Sequence, residues 1–177
     1  MLQGGPHNVQ IAALATQLME VKTPEFAEYM KQVVANCRAL AKVLIDAGEK
    51  LITDGTDNHL LMWDVRPHKL TGSKVEKLLE YANITVNKNS VVGDKSALTP
   101  GGIRIGTPAL TTRGFNETEF EQIGHFLIRS IKIAVRVQEA TGKKLVDFEK
   151  ALKDDEEVKQ LHDDVKALAV QFSIPGN

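Results

Sequence analysis

Arg104 is the residue best placed to do chemistry. It stands in Pro100-Gly101-Gly102-Ile103-Arg104-Ile105-Gly106-Thr107-Pro108, with a glycine two positions away on either side. Ile103 and Ile105 alternate with it, the period-two pattern of a short strand that buries one face. On the other face no side chain of the same strand stands beside the arginine. A planar, permanently charged guanidinium can grip a carboxylate through two parallel hydrogen bonds. The alternative is a solvated arginine on an edge strand, and on the residues alone both readings stay open.

Two further stretches carry polar groups at suggestive spacing. Asn87-Lys88-Asn89-Ser90 offers side-chain amides with two donors and an acceptor each. Such groups form turns or read the edge of a heterocycle, and here the turn is the preferred reading. Near the start, Gly4-Gly5-Pro6 precedes a helical stretch. Backbone amides without side chains, ahead of a helix, can hold a phosphate, although a plain turn is the simpler account of a glycine pair. The five histidines are scattered, with no pair at metal-ligand spacing, so no metal site is expected. Cys37, the single cysteine, excludes an internal disulfide and reads as a small core residue beside Val33, Val34 and Leu40.

The elements that must position these groups follow from periodicity and caps. Ile11, Leu14, Ala15 and Leu18 mark one face of a first helix. Thr23-Pro24-Glu25 starts a long second helix, with Thr23 as N-cap, and Gly48 closes it. Leu51 to Thr53 and His59 to Val65 read as strands joined by a turn at Asp54 to Asp57, with His59 buried or half-buried. A helix through Val75, Leu78 and Leu79 precedes a short strand, Ile84 to Val86. Asn116 with Glu119 forms a capping box, and Phe115 with Phe120 a hydrophobic staple, at the start of a long helix to Gly142. A short helix with Leu145, Phe148 and Leu152 follows, then a last one with Val158, Leu161, Val165, Leu168 and Phe172. The expected class is α+β: a small, mainly antiparallel sheet covered by helices, some of them long.

Composition narrows the function classes. The 177 residues are 42% hydrophobic and 25% charged, ordinary for a globular chain with a real core. A net charge of −1 provides no basic field for nucleic acid or an anionic membrane surface. No apolar run approaches the roughly 18 residues a spanning helix needs, and no secretory signal is seen.

Several stretches together resemble the carboxy-terminal motifs of serine hydroxymethyltransferase, in its eukaryotic form. They are Leu2-Gln3-Gly4-Gly5-Pro6-His7, Gln32 to Leu40, Asp57-Asn58-His59-Leu60, Asn87-Lys88-Asn89-Ser90, Gly93 to Leu98 and Gly101 to Thr111. The likeness is collinear over nearly the whole chain and weakens after about Gly142. It implies the small carboxy-terminal domain of a fold-type I pyridoxal-phosphate enzyme over residues 23–177, with residues 1–22 as the tail end of the large cofactor-binding domain and its connecting helix.

The resemblance also implies roles. Arg104 would clamp the α-carboxylate of serine or glycine, and Asn89 would contact the pterin of tetrahydrofolate, with Ser90 to Thr99 at the folate entrance. Gly4 and Gly5 would reach the phosphate of pyridoxal 5'-phosphate across a homodimer, or within a homotetramer. The family's Schiff-base lysine follows a threonine run and a histidine, a context that Lys69, Lys74, Lys88 and Lys95 lack. Met1 directly ahead of Leu2-Gln3-Gly4-Gly5 reads as a start inside a longer sequence. The chain is therefore expected to be a carboxy-terminal portion without catalytic residues of its own, inactive alone, from a cytoplasmic or mitochondrial enzyme. Three other readings compete: the small domain of an aminotransferase-like enzyme, a non-enzymatic amino-acid-binding regulatory module, and a structural or partner-binding fragment.

Overall fold

Seven helices and four strands are laid out in the computed structural model, which describes residues 2, 4–96 and 98–176. Met1, Gln3 and Ala97, which carry parts of the motif and start expectations above, lie outside the described residues. The order is α1 (Asn8–Val21), α2 (Pro24–Asp46), β1 (Lys50–Leu51), β2 (Leu60–Asp64), α3 (Gly72–Tyr81), β3 (Asn87–Asn89), β4 (Gly102–Gly106), α4 (Pro108–Thr112), α5 (Glu117–Thr141), α6 (Leu145–Leu152) and α7 (Glu156–Ala169). The sheet runs β1-β2-β4-β3, every pair antiparallel. The class is α+β, as the periodicities predict.

The local signals translate into local structure. Thr23 Oγ1 accepts from the Phe26 amide at 3.2 Å to start α2. Gly48, at φ +83, closes that helix: its amide donates to Ile45 O at 2.8 Å and the Glu49 amide to Leu44 O at 3.0 Å. The Asn116 and Glu119 capping box starts α5, and the Phe115 and Phe120 rings meet at 6.3 Å. Asp155 caps α7 by accepting from the Glu157 and Val158 amides.

Alternation then sets the core. Leu61, Trp63, Ile103 and Ile105 are buried from the sheet side. They join Leu40, Leu44, Leu78, Leu79, Phe120, Leu127 and Ile131 from the helices in one cluster. The long helices α2 and α5 approach closely at Gly124, where an added Cβ would sit 2.9 Å from Val43 Cβ. Cys37 is fully buried, and burial pushes its thiol up, only partly offset by the Thr56 and Thr107 hydroxyls. By contrast α1 buries none of its residues, leaving Val9, Ile11, Leu14 and Leu18 exposed.

Four expectations need correction. Ile84 to Val86 is not a strand, because the Ile84 amide caps α3 by donating to Leu79 O at 2.8 Å, and Asn83 turns at φ +60. An amide spent on a helix end cannot join a ladder, so the strand begins only at Asn87. Ile84 and Val86 instead line an apolar cavity of about 330 Å³ with Ile105, Ile123 and Leu168. Asn87-Lys88-Asn89 is accordingly strand, where a turn is the preferred sequence reading. The first strand stops at Leu51, since Thr53 and Asp54 adopt φ +67 and +58 in a tight turn. His59 is exposed, and its carbonyl rather than its ring is used, accepting the Thr107 amide at 3.0 Å.

Candidate functional site

The face of the sheet away from the core gathers the polar groups. β4 presents Gly102, Arg104 and Gly106 on it; Met62 pairs with Arg104 from β2, and Asn87 from β3. The same alternation puts Asn89 beside Gly102 on that face. Arg104 is exposed, and its Nη2 donates to Asn87 Oδ1 at 3.1 Å. Asn89 is half-buried, with Nδ2 donating to the neighbouring Ser90 carbonyl at 2.9 Å. The structure thus brings the two expected site residues onto adjacent strands of one open face.

The two glycines flanking Arg104 differ in kind. A Cβ on Gly102 would collide with Val91 Cγ1 and lie 2.9 Å from Asn89 O, so only glycine fits beneath the loop that precedes β4. A Cβ on Gly106 would meet nothing closer than 3.7 Å. The open floor beside the arginine is therefore on the Gly106 side.

Three sets of contacts hold this face in place. The first is the neck of the loop between β3 and β4. Asp94 Oδ2 accepts the Val91 and Gly101 amides at 2.9 and 2.8 Å, and Oδ1 accepts from Arg66 Nη1 at 3.2 Å. Arg66 also grips buried Asp64 of β2 through Nε and Nη2, both at 2.8 Å. Hydrogen bonding to Arg66 holds the Asp64 carboxyl below the usual carboxylate range, against the opposing effect of burial. Burial alone would raise Asp94, but the Gly101 and Val91 amides and Arg66 outweigh it, so this carboxyl also sits low.

The second set pins β3 from its outer edge. Glu76 of α3 accepts the Lys88 backbone amide at 2.9 Å and pairs with Lys88 Nζ at 3.0 Å. Burial of Glu76 is outweighed by these Lys88 contacts, which lower its carboxyl. The third anchors the far end of β4 to α2. Thr107 Oγ1 donates to Val33 O at 2.9 Å. Asn36, fully buried, donates from Nδ2 to Thr111 Oγ1 at 2.8 Å and to Phe115 O at 3.0 Å. These bonds join the Gln32 to Leu40 stretch to the Gly101 to Thr111 stretch.

Gly4 and Gly5 lie ahead of α1, exposed, and no hydrogen bond among the described residues joins them to β3 or β4. The lysines divide clearly. Lys74 is buried, donating to Gln138 Oε1 and to Gly142 O, both at 2.8 Å, with Nζ 5.0 Å from the Phe148 ring centre. Burial lowers its ammonium. Lys88 is committed to Glu76, while Lys69 and Lys95 are exposed. Lys74 is thus held by two acceptors in the core and Lys88 is paired with one carboxylate, while Lys69 and Lys95 have no enclosure. Among the described residues no cluster of three metal-ligating side chains occurs.

Sequence reasoning gave no role to Asp64, Arg66, Asp94, Glu76 and Asn36, although Asn36 and Asp94 stand within the Gln32 to Leu40 and Gly93 to Leu98 stretches. An acid and an arginine two residues apart at the end of a strand, and an aspartate following a glycine turn, are the only local signals for them.

Comparison with known proteins gives a consistent picture. Residues 1–127 match the family model described as serine hydroxymethyltransferase. Serine hydroxymethyltransferase 4 of Arabidopsis thaliana is 51% identical over 175 residues, covering 99% of this chain and 37% of the relative. The cytosolic serine hydroxymethyltransferase of Oryctolagus cuniculus is 47% identical, with 99% and 37% covered. The chloroplastic serine hydroxymethyltransferase 3 of Arabidopsis thaliana is 49% identical, with 99% and 34% covered. The chain thus spans little more than a third of the length of these relatives.

Proposed function

Because this chain belongs to the serine hydroxymethyltransferase family, we propose that it is the carboxy-terminal part of an enzyme interconverting serine plus tetrahydrofolate with glycine plus 5,10-methylenetetrahydrofolate. The observation carrying this reading is the shared open face on which Arg104 and Asn89 project from paired strands. Arg104 takes the amino-acid carboxylate. Nη2 carries two N–H groups and Asn87 uses one, so one two-pronged edge of the guanidinium remains whole. Asn89 contacts the pterin, and the loop after it borders the folate entrance.

Pyridoxal 5'-phosphate, when bound to the complete enzyme, supplies the electron sink for bond cleavage at the α-carbon. Lys69, Lys74, Lys88 and Lys95 do not fit as its anchor, for the reasons above, and the chain is read as contributing binding and orientation. Supporting a phosphate role for Gly4 and Gly5 are the open space around a Gly5 Cβ and the His7 side chain, which makes no cap bond at the start of α1. The phosphate would belong to the partner subunit of a homodimer, or of a homotetramer. The fully exposed α1 favours residues 1–22 as part of the larger cofactor-binding domain, with 23–177 as the small domain.

No described helix is long and apolar enough to cross a membrane. A cytoplasmic or mitochondrial enzyme is the reading carried from the sequence; relatives named cytosolic and chloroplastic are about equally similar.

The test is Arg104→Ala in the full-length enzyme. Losing two charge-assisted bonds should raise serine KM about a hundred-fold or more, at roughly tenfold per 1.4 kcal/mol. Unchanged serine affinity would reject the assignment. Serine turnover by this chain alone with added pyridoxal phosphate would reject the division of labour.

A further inference from the structure

Asn87 is not assigned a part in either ligand site, yet it is the side chain that touches Arg104. The two are cross-strand partners in the β3–β4 register, and the Asn87 carbonyl oxygen accepts from Arg104 Nη2 at 3.1 Å. We propose that Asn87 is a positioning residue that orients Arg104 for the substrate carboxylate; this rests on the reading of Arg104 given above.

The physical need is plain. Arginine is long and rotamer-rich, and ordering it opposes binding. On its own strand Arg104 has only Gly102 and Gly106 beside it, so neither can hold the guanidinium plane. Met62, its partner on the other side, offers an apolar wall without an oxygen acceptor. Asn87 Oδ1 is the one side-chain acceptor for Arg104 among the described residues. It is also well held. Its strand is fixed one residue on by Glu76, which takes the Lys88 amide and ammonium, and two residues on by the pairing of Asn89 with Gly102. A neutral acceptor is the fitting choice, because a carboxylate at this point would compete with the substrate for the guanidinium.

A second consequence concerns the two ligands. Asn87 and Asn89 are alternate residues of one strand, so any shift of β3 that tightens folate contacts at Asn89 also moves the acceptor that aims Arg104. Asn87 thereby ties the carboxylate clamp to the strand that meets the folate.

The experiment uses the full-length enzyme carrying this chain, and compares the dissociation constants of glycine and glycinamide, which lacks the carboxylate. Asn87→Ala should weaken glycine roughly three- to tenfold, the scale of one partly solvated hydrogen bond, and leave glycinamide unchanged. Asn87→Asp, which keeps the shape and adds charge, should weaken glycine more than Asn87→Ala does. In an Arg104→Ala background, Asn87→Ala should have no further effect, since the group it orients is gone. Equal losses for glycine and glycinamide, or full additivity with Arg104→Ala, would overturn the proposal, as would unchanged glycine binding in both Asn87 variants. If Arg104→Ala itself leaves glycine binding intact, the failure lies in the assignment of Arg104 and not in its positioning.

Discussion

Asn36 Nδ2 lies 2.8 Å from Thr111 Oγ1, a fully buried bond between residues 75 positions apart. With its second bond to Phe115 O, it fastens the helix that ends β4 to the centre of α2. The segment carrying Arg104 is thus held at its far end by a polar joint inside the core.

Asn36→Ala removes both donors and strands Phe115 O. It should destabilise the chain by about 2–3 kcal/mol, the usual cost of orphaning buried polar groups. Asn36→Asp should be at least as damaging despite its matching shape, because it sets an oxygen against that carbonyl. Urea unfolding of both variants checks this, and a mild Asn36→Asp phenotype would reject it.

Gly102 and Gly106 should respond unequally to the same substitution. Gly102→Ala drives a methyl into Val91 and to 2.9 Å from Asn89 O. Overpacking of this kind costs about 1–3 kcal/mol. Gly106→Ala, with 3.7 Å of clearance, should leave the unfolding midpoint nearly unchanged. Similar midpoints for the two variants would show that the loop does not press on β4 as described.

Acid should loosen the loop neck. Asp64 and Asp94 titrate below their ordinary values in the folded chain. The unfolded chain therefore takes up protons first as pH falls. Their contribution is complete above the ordinary carboxylate value of about pH 4 and disappears as pH drops through the folded-state values. Arg66→Met removes the main cause of the Asp64 shift, so the variant should start from a lower stability at pH 7 and lose less of it as the pH falls. Urea midpoints from pH 7 to 3 that run parallel for wild type and Arg66→Met would contradict this.

Lys74 has the opposite sign. Burial lowers its ammonium in the fold, so between the folded-state value and the ordinary one near 10.4 the unfolded chain binds the extra proton. Stability contributed at this position should therefore rise with pH through that window. The difference in unfolding free energy between wild type and Lys74→Met should grow from pH 7 to pH 10. A difference that stays flat would mean that the ammonium is not desolvated.

What could be read from the chain was what short-range chemistry decides. The Thr23, Asn116 and Gly48 helix ends, and the alternation that exposes Arg104 while burying Ile103 and Ile105, depend on residues within a few positions of one another. The misreading of Ile84 to Val86 came from a competition invisible in composition: β-branched residues suit a ladder, but the Ile84 amide was already engaged in ending α3. The joints made by Asn36 with Thr111, Arg66 with Asp94 and Lys88 with Glu76 span 75, 28 and 12 positions. No local pattern announces them, because each partner alone is an ordinary polar residue.

The closed neck at Asp94 has an evolutionary consequence. Since the Asp94 carboxylate joins Val91 to Gly101, the sheet is insulated from what the chain does between Asp94 and Gly101. Lys95, Ser96, Leu98 and Thr99 are exposed, and lengthening such a tip is cheap, about 0.6 kcal/mol per doubling of a flexible loop. Descendants of this sequence can rewrite this loop tip, in length as well as composition, while inheriting the Arg104 strand unaltered.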